Sequence, residues 1–508
     1  MTSQSSFRTD LLLHQSQQVR RSQPDDIRTL CEIGRQLAQD GLTQETRNCY
    51  RAAVDALRRL IHAGNVNLAL TGEDSIYTAF VNNVEDEQHY YRCFADWKDD
   101  LAALGRRFRD PAALSRGGAD QIAFFLHSGH ILGHTEVLLK MLESRPRTGQ
   151  RCVEPRVCIL DRYSPAFVER CRAAGVEVVP VIDALGPGAP WEARFLWLRQ
   201  RFQQDRVGVC VWVSRPTMAA FALSMRLAPV QIFWALRFHP VSGPYIDGYI
   251  TYGARQERER LIGKQSWKVV PVPLTIATTP VASDAVAGLR ARFPQRILAG
   301  TLAREEKINQ PLFLAAVSEI LRANPGAGYV WTGRIEHTGI SNHFRTTGVA
   351  DRCHFVGWVD TSLYAAALDL FLESFPFGTG VIPYQALAAG VPLLSYFSKM
   401  TVFGVNFWHE FPDGVPRNLE RYPILCAGTP EEYVHLGNKI IADPEFRSQV
   451  ASRGKQFFEQ ELNSLPYYAQ RFFDTIHEIA RTTLEARARN ARDGPPSTLH
   501  GNGSMSGT

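Results

Sequence analysis

The chain has 508 residues, 45% hydrophobic and 21% charged, which is the composition of a globular protein able to bury large cores. A net charge of +5, from 56 basic and 51 acidic side chains, is too slight for a nucleic-acid binder, and no basic run with interleaved aromatics occurs. The N-terminus "MTSQSSFRTDLLLHQSQQ" has no apolar stretch of signal-peptide type and no window of about 20 apolar residues exists, so neither a leader nor a membrane span is expected.

Residues 1–24 are polar and are expected to form a disordered tail. Residues 25–114 read as a small all-helical domain. In "DDIRTLCEIGRQLAQDG", "TQETRNCYRAAVDALRRLIHAG" and "EDEQHYYRCFADWKDDLAALGRRF", apolar positions recur at three- and four-residue steps, and glycines close the first two. No fixed period joins them into a solenoid. Near residue 121 the texture changes. Apolar runs such as "IAFFLH", "RVCILD", "VGVCVWVS" and "PVQIFWAL" alternate with helical stretches, as parallel strands buried on both faces do. Residues 115–285 are therefore assigned to one Rossmann-like domain. Residues 286–445 form a second, with "RILAGTL", "GYVWTG", "CHFVGWV", "LFLES" and "PLLSY" as strands. In its first helix Phe313, Ala316, Val317, Ile320 and Leu321 share one face. Residues 446–490 read as C-terminal helices, and 491–508 as a second disordered tail. The nine cysteines are odd in number, lack C-x-x-C spacing and sit partly in apolar runs (Cys158, Cys210). Reduced, buried thiols of a cytoplasmic protein are expected, and no structural zinc.

Two tandem domains of this kind bind ligands between the carboxyl ends of their strands. Gly378, Thr379 and Gly380, followed by Val381, lie at such an end. Their glycines either allow a tight turn or bare the N–H groups of a helix start for a phosphate. Lys307, in "TLAREEKINQP", follows the first strand of the second domain. It is either an ordinary surface lysine or a phosphate contact, and its pairing with a glycine-rich helix start two strands later points to a diphosphate site. His127, His130 and His134 surround the loop after the first strand of the first domain. Gly129 and Gly133 interrupt the helix that could align them, and H-E-x-x-H is absent, so no metal site is assigned. One of them is expected to face the cleft as a base or hydrogen-bond donor, the alternative being capping of the strand–helix turn. His239 and Ser242 lie in another strand-end loop. Without a G-x-S-x-G elbow a serine hydrolase is not expected.

The stretches "APVQIFWALRFHPVSGPYIDGYITYG", "EKINQP" and "LDLFLESFPFGTGVIPYQALAAGVPLLS" together resemble the O-GlcNAc transferase-like GT-B glycosyltransferases. "ALRFHP" and "FPFGTG" are similar to the bacterial branch, the cytoplasmic N-glycosyltransferases of high-molecular-weight adhesins. The resemblance covers about residues 120–450. It implies α/β GT-B architecture, with two Rossmann-like domains facing a cleft, and an inverting, metal-independent transfer of a hexose or HexNAc from a UDP-sugar to a protein side chain. The UDP-sugar is a co-substrate and no cofactor is implied. Lys307 is similar to the lysine on the donor diphosphate, and Thr379, Gly380 and Val381 to the phosphate-cradling helix start. His134 is similar in place to a histidine facing acceptor or donor sugar, and His239 to the loop beside the donor. His134 and Lys307 are thus the expected catalytic residues. The chain departs from the family in its shortened "GTGVIP" turn, in Arg237 and Phe238 where relatives carry glycine, and in lacking a tetratricopeptide array. Glu373 has Val381 eight residues on, which speaks against the two-glutamate branch. The alternatives are a GT-B transferase acting on a small molecule or glycan, and a non-catalytic nucleotide-sugar-binding scaffold.

Overall fold

The structure, a computed structural model, describes residues 2–39, 42–81, 97–110, 118–146, 154–213, 215–236, 242–253, 257–262, 264–271, 281–380, 382–396, 424–459 and 465–493. Five helices open the chain: Thr2–Ser22, Ile27–Gln39, Thr43–His62, Val66–Phe80 and Lys98–Arg106. The first corrects the expectation of a loose tail. Its sequence is polar, but Leu12, Ser16 and Val19 recur at four- and three-residue steps, and Leu12 and Ser16 are buried against the next two helices. Ser16 Oγ lies 3.4 Å from Cys49 Sγ, and Arg20 pairs with Glu45 at 2.7 Å. A polar helix is marginal alone, and tertiary packing of a narrow stripe stabilises it.

The first sheet comprises β1 (Gly118–Leu126), β2 (Glu154–Ile159), β3 (Glu177–Pro180), β4 (Val207–Val213), β5 (Val230–Ala235), β6 (Gly248–Thr251), β7 (Glu259–Ile262) and β8 (Gln265–Val269). Its order is β3-β2-β1-β4-β5-β6-β8-β7. Every pairing is parallel except the β7/β8 hairpin at the edge. β4 and β5 are buried at every position, because helices cover both faces. One face packs against the N-terminal helices and the helices Trp191–Gln204 and Ala219–Ser224.

The other face is covered by Gly133–Glu143, Pro165–Ala173 and, from the far end of the chain, Leu465–Asp493. Phe472 lies 4.3 Å from Trp234 and 5.9 Å from Phe124 between ring centroids. Arg487 pairs with Asp247 at 2.6 Å, and Asp247 pairs with Arg226 at 2.8 Å. The C-terminal helices therefore divide. Pro444–Phe457 stays on the second domain, while Leu465–Asp493 returns to the first.

The second sheet holds β9 (Ile297–Thr301), β10 (Ala327–Trp331), β11 (Cys353–Phe355), β12 (Leu370–Leu372), β13 (Leu393–Tyr396) and β14 (Leu425–Ala427), all parallel. Its order, β11-β10-β9-β12-β13-β14, is the 3-2-1-4-5-6 arrangement of a doubly wound domain. The first sheet carries the same order in its first six strands. Each domain thus has a switch point between its first and fourth strands.

Candidate functional site

At the second switch point, β9 runs on toward β10 and β12 toward β13, so their connections part and leave a crevice at the carboxyl ends. Thr301 Oγ1 donates to Leu372 O at 2.7 Å and ties the two strand ends together. Thr332 Oγ1, beyond β10, receives Ala303 N–H and donates to Ala303 O, both at 2.8 Å. These bonds fix the short helix Glu305–Ile308 that carries Lys307. Lys307 is 8% exposed, and its Nζ donates to Gly378 O at 2.5 Å. Two candidates 71 residues apart are therefore in contact.

The turn around Gly378 is built from the end of β12. The Ser395 hydroxyl donates to the buried Glu373 carboxylate, Tyr433 OH donates to Glu373 O at 3.0 Å, and Ser374 Oγ donates to Phe377 O at 2.6 Å. Thr379 is 7% exposed, and its Oγ1 is buried without a hydrogen-bond partner among the described residues. Gly380 takes φ +82°, where a side chain is strained, and among the described residues, its chain neighbours aside, no atom lies within 4 Å of the place a Cβ would occupy. The helix Ile382–Ala389 begins immediately afterwards, with Pro383 in its first turn. A buried unspent hydroxyl, a left-handed glycine facing open space, a lysine and a helix start are thus contiguous. Such a group can take an anion bearing several oxygens. Val381 and His239 lie outside the described residues, as do Arg237 and Phe238.

At the first switch point, between β1 and β4, side chains of the helical layer meet the strand ends. Asp74 reaches in from the helix Val66–Phe80, pairs with Arg215 at 2.6 Å and accepts from Thr217 Oγ1 at 2.9 Å. Its neighbour Glu73, fully buried, pairs with Lys98 and accepts Met218 N–H at 2.7 Å. Arg194 lies 4.4 Å over the Trp191 ring and pairs with Asp161 at 3.1 Å.

His127, at the end of β1, has both ring nitrogens buried without a hydrogen-bond partner, with Asp74 Oδ1 3.8 Å from Nε2. Burial lowers its pKa. Arg215 and Arg194 act in the same sense, while Asp74 and Asp161 oppose it. In the strand–helix turn here Thr135 Oγ1 accepts Leu132 N–H at 2.8 Å and donates to His130 O at 2.5 Å. His134 is half-buried at the second position of the helix Gly133–Glu143. Among the described residues no three His, Cys, Asp or Glu side chains cluster as metal ligands.

The sequence reading missed Thr379's unspent hydroxyl as a separate feature, and also His337. The His337 ring is buried beyond β10, accepting Gly339 N–H at 3.1 Å and lying 3.5 Å from Asn309 Nδ2. No spacing signals either, since both depend on loops brought together by the sheet.

Solved structures with the same architecture identify the fold as GT-B, two Rossmann-like domains facing a cleft. A mutant O-GlcNAc transferase from Thermobaculum terrenum aligns with a TM-score of 0.57 and 16% identity, over 96% of this chain and 100% of that one. HepE from Anabaena, in complex with UDP-glucose, aligns with a TM-score of 0.48 and 15% identity, over 72% of this chain and 99% of its own. A glycosyltransferase from Rickettsia africae aligns with a TM-score of 0.49 and 8% identity, over 71% and 98%. No family model and no curated protein matches the sequence.

Proposed function

We propose that this chain is a UDP-sugar-dependent glycosyltransferase that moves a hexose or HexNAc, with inversion, to an asparagine, serine or threonine side chain of a protein in the cytoplasm. The observation that carries the reading is the contact of Lys307 with the Gly378–Gly380 turn at the second switch point, beside the unspent Thr379 hydroxyl. The likeness of nearly the whole chain to an O-GlcNAc transferase supports sugar transfer as the reaction class.

In the proposed step the acceptor heteroatom forms a bond to the sugar's anomeric carbon, on the face opposite UDP. The bond from that carbon to the phosphate oxygen breaks, and its electron pair leaves on the β-phosphate. Lys307, the turn's N–H groups and the Thr379 hydroxyl sit where this charge develops, and one such donor is worth about 3 kcal/mol in the barrier. A side-chain cation there supplies the charge that a divalent metal would bring, which is the basis for proposing a metal-independent reaction with no further cofactor. His239 and Val381 complete the proposed donor site. His134, at the carboxyl end of the first sheet, orients the acceptor or takes its proton. An amide nitrogen is a poor nucleophile, so alignment and dispersal of the leaving charge count for more than base strength.

The test is incubation with UDP-glucose, UDP-galactose and UDP-GlcNAc against peptides containing N-x-S/T and Ser/Thr sequences, read by mass spectrometry. A hexose or HexNAc mass on a peptide is expected. Mass gained only by small molecules or glycans would move the acceptor to those classes. UDP binding without any release of sugar would leave a binding scaffold.

A further inference from the structure

The residues just before the glycine turn, Phe375-Pro376-Phe377, divide two aromatic rings between two domains. Phe375 stays in its own domain, where it stacks on Tyr396 at 4.2 Å and meets the rings of Tyr433 at 5.1 Å and Phe313 at 5.4 Å. Phe377, with no exposed surface, belongs to the other core, which the N-terminal helices share with one face of the first sheet and which includes Met218, Phe221, Tyr245 and Tyr249. Among the described residues of the second domain it alone belongs to that core. Its neighbours in sequence fall in the two cores of the second domain or in none.

A tight turn by itself needs no ring buried in another domain. The consequence is local. Gly378, which receives the Lys307 ammonium, is the next residue, and Thr379 and Gly380 follow it. Ser374 Oγ closes the strap on Phe377 O at 2.6 Å, so the ring, the strap and the turn form one short rigid unit. We infer that Phe377 is a positioning residue for the donor diphosphate: it ties the Gly378–Gly380 turn to the first domain, so that the turn holds its phosphate-ready shape when the two domains are docked. By linkage, a nucleotide that needs the docked turn strengthens docking by the factor that docking adds to its affinity. The inference rests on the donor-site reading above.

The full-length wild type, Phe377→Ala and Phe377→Leu are compared by calorimetry with UDP and by hydrogen exchange without it. Phe377→Ala is expected to weaken UDP binding at least about tenfold, since displacement of a binding group by about 1 Å can cost up to about a hundredfold. Exchange in the peptide spanning residues 374–380 should rise at least about tenfold while that of β9 and β10 stays at the wild-type rate, a pattern that general loss of stability does not produce. Leucine, which refills most of the apolar niche, should restore UDP affinity to within about threefold. Should the alanine form not fold, Phe377→Val, which leaves part of the niche empty, takes its place: a loss of UDP affinity of more than about threefold in it supports the inference, and wild-type affinity in it overturns it. Wild-type UDP affinity in a folded Phe377→Ala protein overturns the inference and leaves the donor site standing, whether or not exchange rises. A wild-type chain that binds no UDP overturns both.

Discussion

The two sheets reverse their strand order at equivalent places, yet the two reversals are finished differently. Between β1 and β4 most of the polar groups are spent on one another, Asp74 on Arg215 and Thr217, Glu73 on Lys98 and Met218 N–H, Arg194 on Asp161, while the buried His127 ring nitrogens have no hydrogen-bond partner among the described residues. Between β9 and β12, among the described residues, a buried hydroxyl has no partner, a glycine faces open space, and Lys307 touches the turn that carries both. Topology supplies a crevice in each domain, and at the first the helical layer contributes Asp74 and Glu73 to it. Satisfied buried polar groups make a rigid dock, whereas an unsatisfied buried group calls for an explanation, and a ligand is one.

The sharpest way to break this contrast is at Lys307 and His134, which the proposed function assigns to opposite walls. Each alanine variant is expected to cut turnover about a hundredfold. Lys307→Ala should also weaken UDP binding, while His134→Ala should leave it within about twofold. Steady-state kinetics with calorimetry separates the two, and equal losses of thermal stability and activity at His134 would make it structural. Gly380→Val comes next, with at least about a tenfold loss of UDP affinity expected by calorimetry. A β-branched residue at φ +82° costs about 1–3 kcal/mol in the turn, and its side chain enters the space left for the phosphate. Unchanged affinity in a folded variant would reduce the turn to plain architecture.

Thr379→Val sharpens the comparison further. It should weaken UDP binding about tenfold and yet leave the thermal midpoint unchanged or higher, because an unsatisfied buried hydroxyl costs about 1–3 kcal/mol that valine does not. A fall in stability with UDP affinity intact would place this hydroxyl in the fold instead of the site.

The smallest effect is expected at His127. Burial holds its pKa below the ordinary 6.5, so well above that value the ring is neutral in the folded and the unfolded chain alike and stability does not depend on its protonation. As pH falls through 6.5 the unfolded chain takes up a proton that the folded chain resists, and stability declines. The wild-type thermal midpoint should therefore drop on acidification from about pH 7 to about pH 5, and that of His127→Phe should drop less. Parallel curves would show that the site does not control the acid limb.

Much of the fold and part of the site can be read along the chain. The runs that form β4 and β5 are apolar at every position, which strands covered on both faces require. Lys307 and the glycine turn each stand out by chemistry and by place at a strand end. β7 does not, because an edge strand reading "ERLI" carries no continuous apolar signal. Neither does the docking of Thr2–Ser22, whose stripe is narrow, nor the role of Phe377, since one apolar residue in a loop has no period.

Sequence by itself determined the local matters: where strands and helices alternate, where glycine permits φ above zero, and which residues could hold a phosphate. Periodicity and backbone preference act within a few residues, so they are visible in the order of the residues alone. Tertiary structure alone decided that β9 lies beside β12, which brings Lys307 to Gly378 across 71 residues, that Leu465–Asp493 returns to the first sheet, and that Phe377 enters the opposite core. Those outcomes follow from which apolar faces cover one another, and burial is not directional: it rewards any partner that excludes water, and only the packed whole selects one.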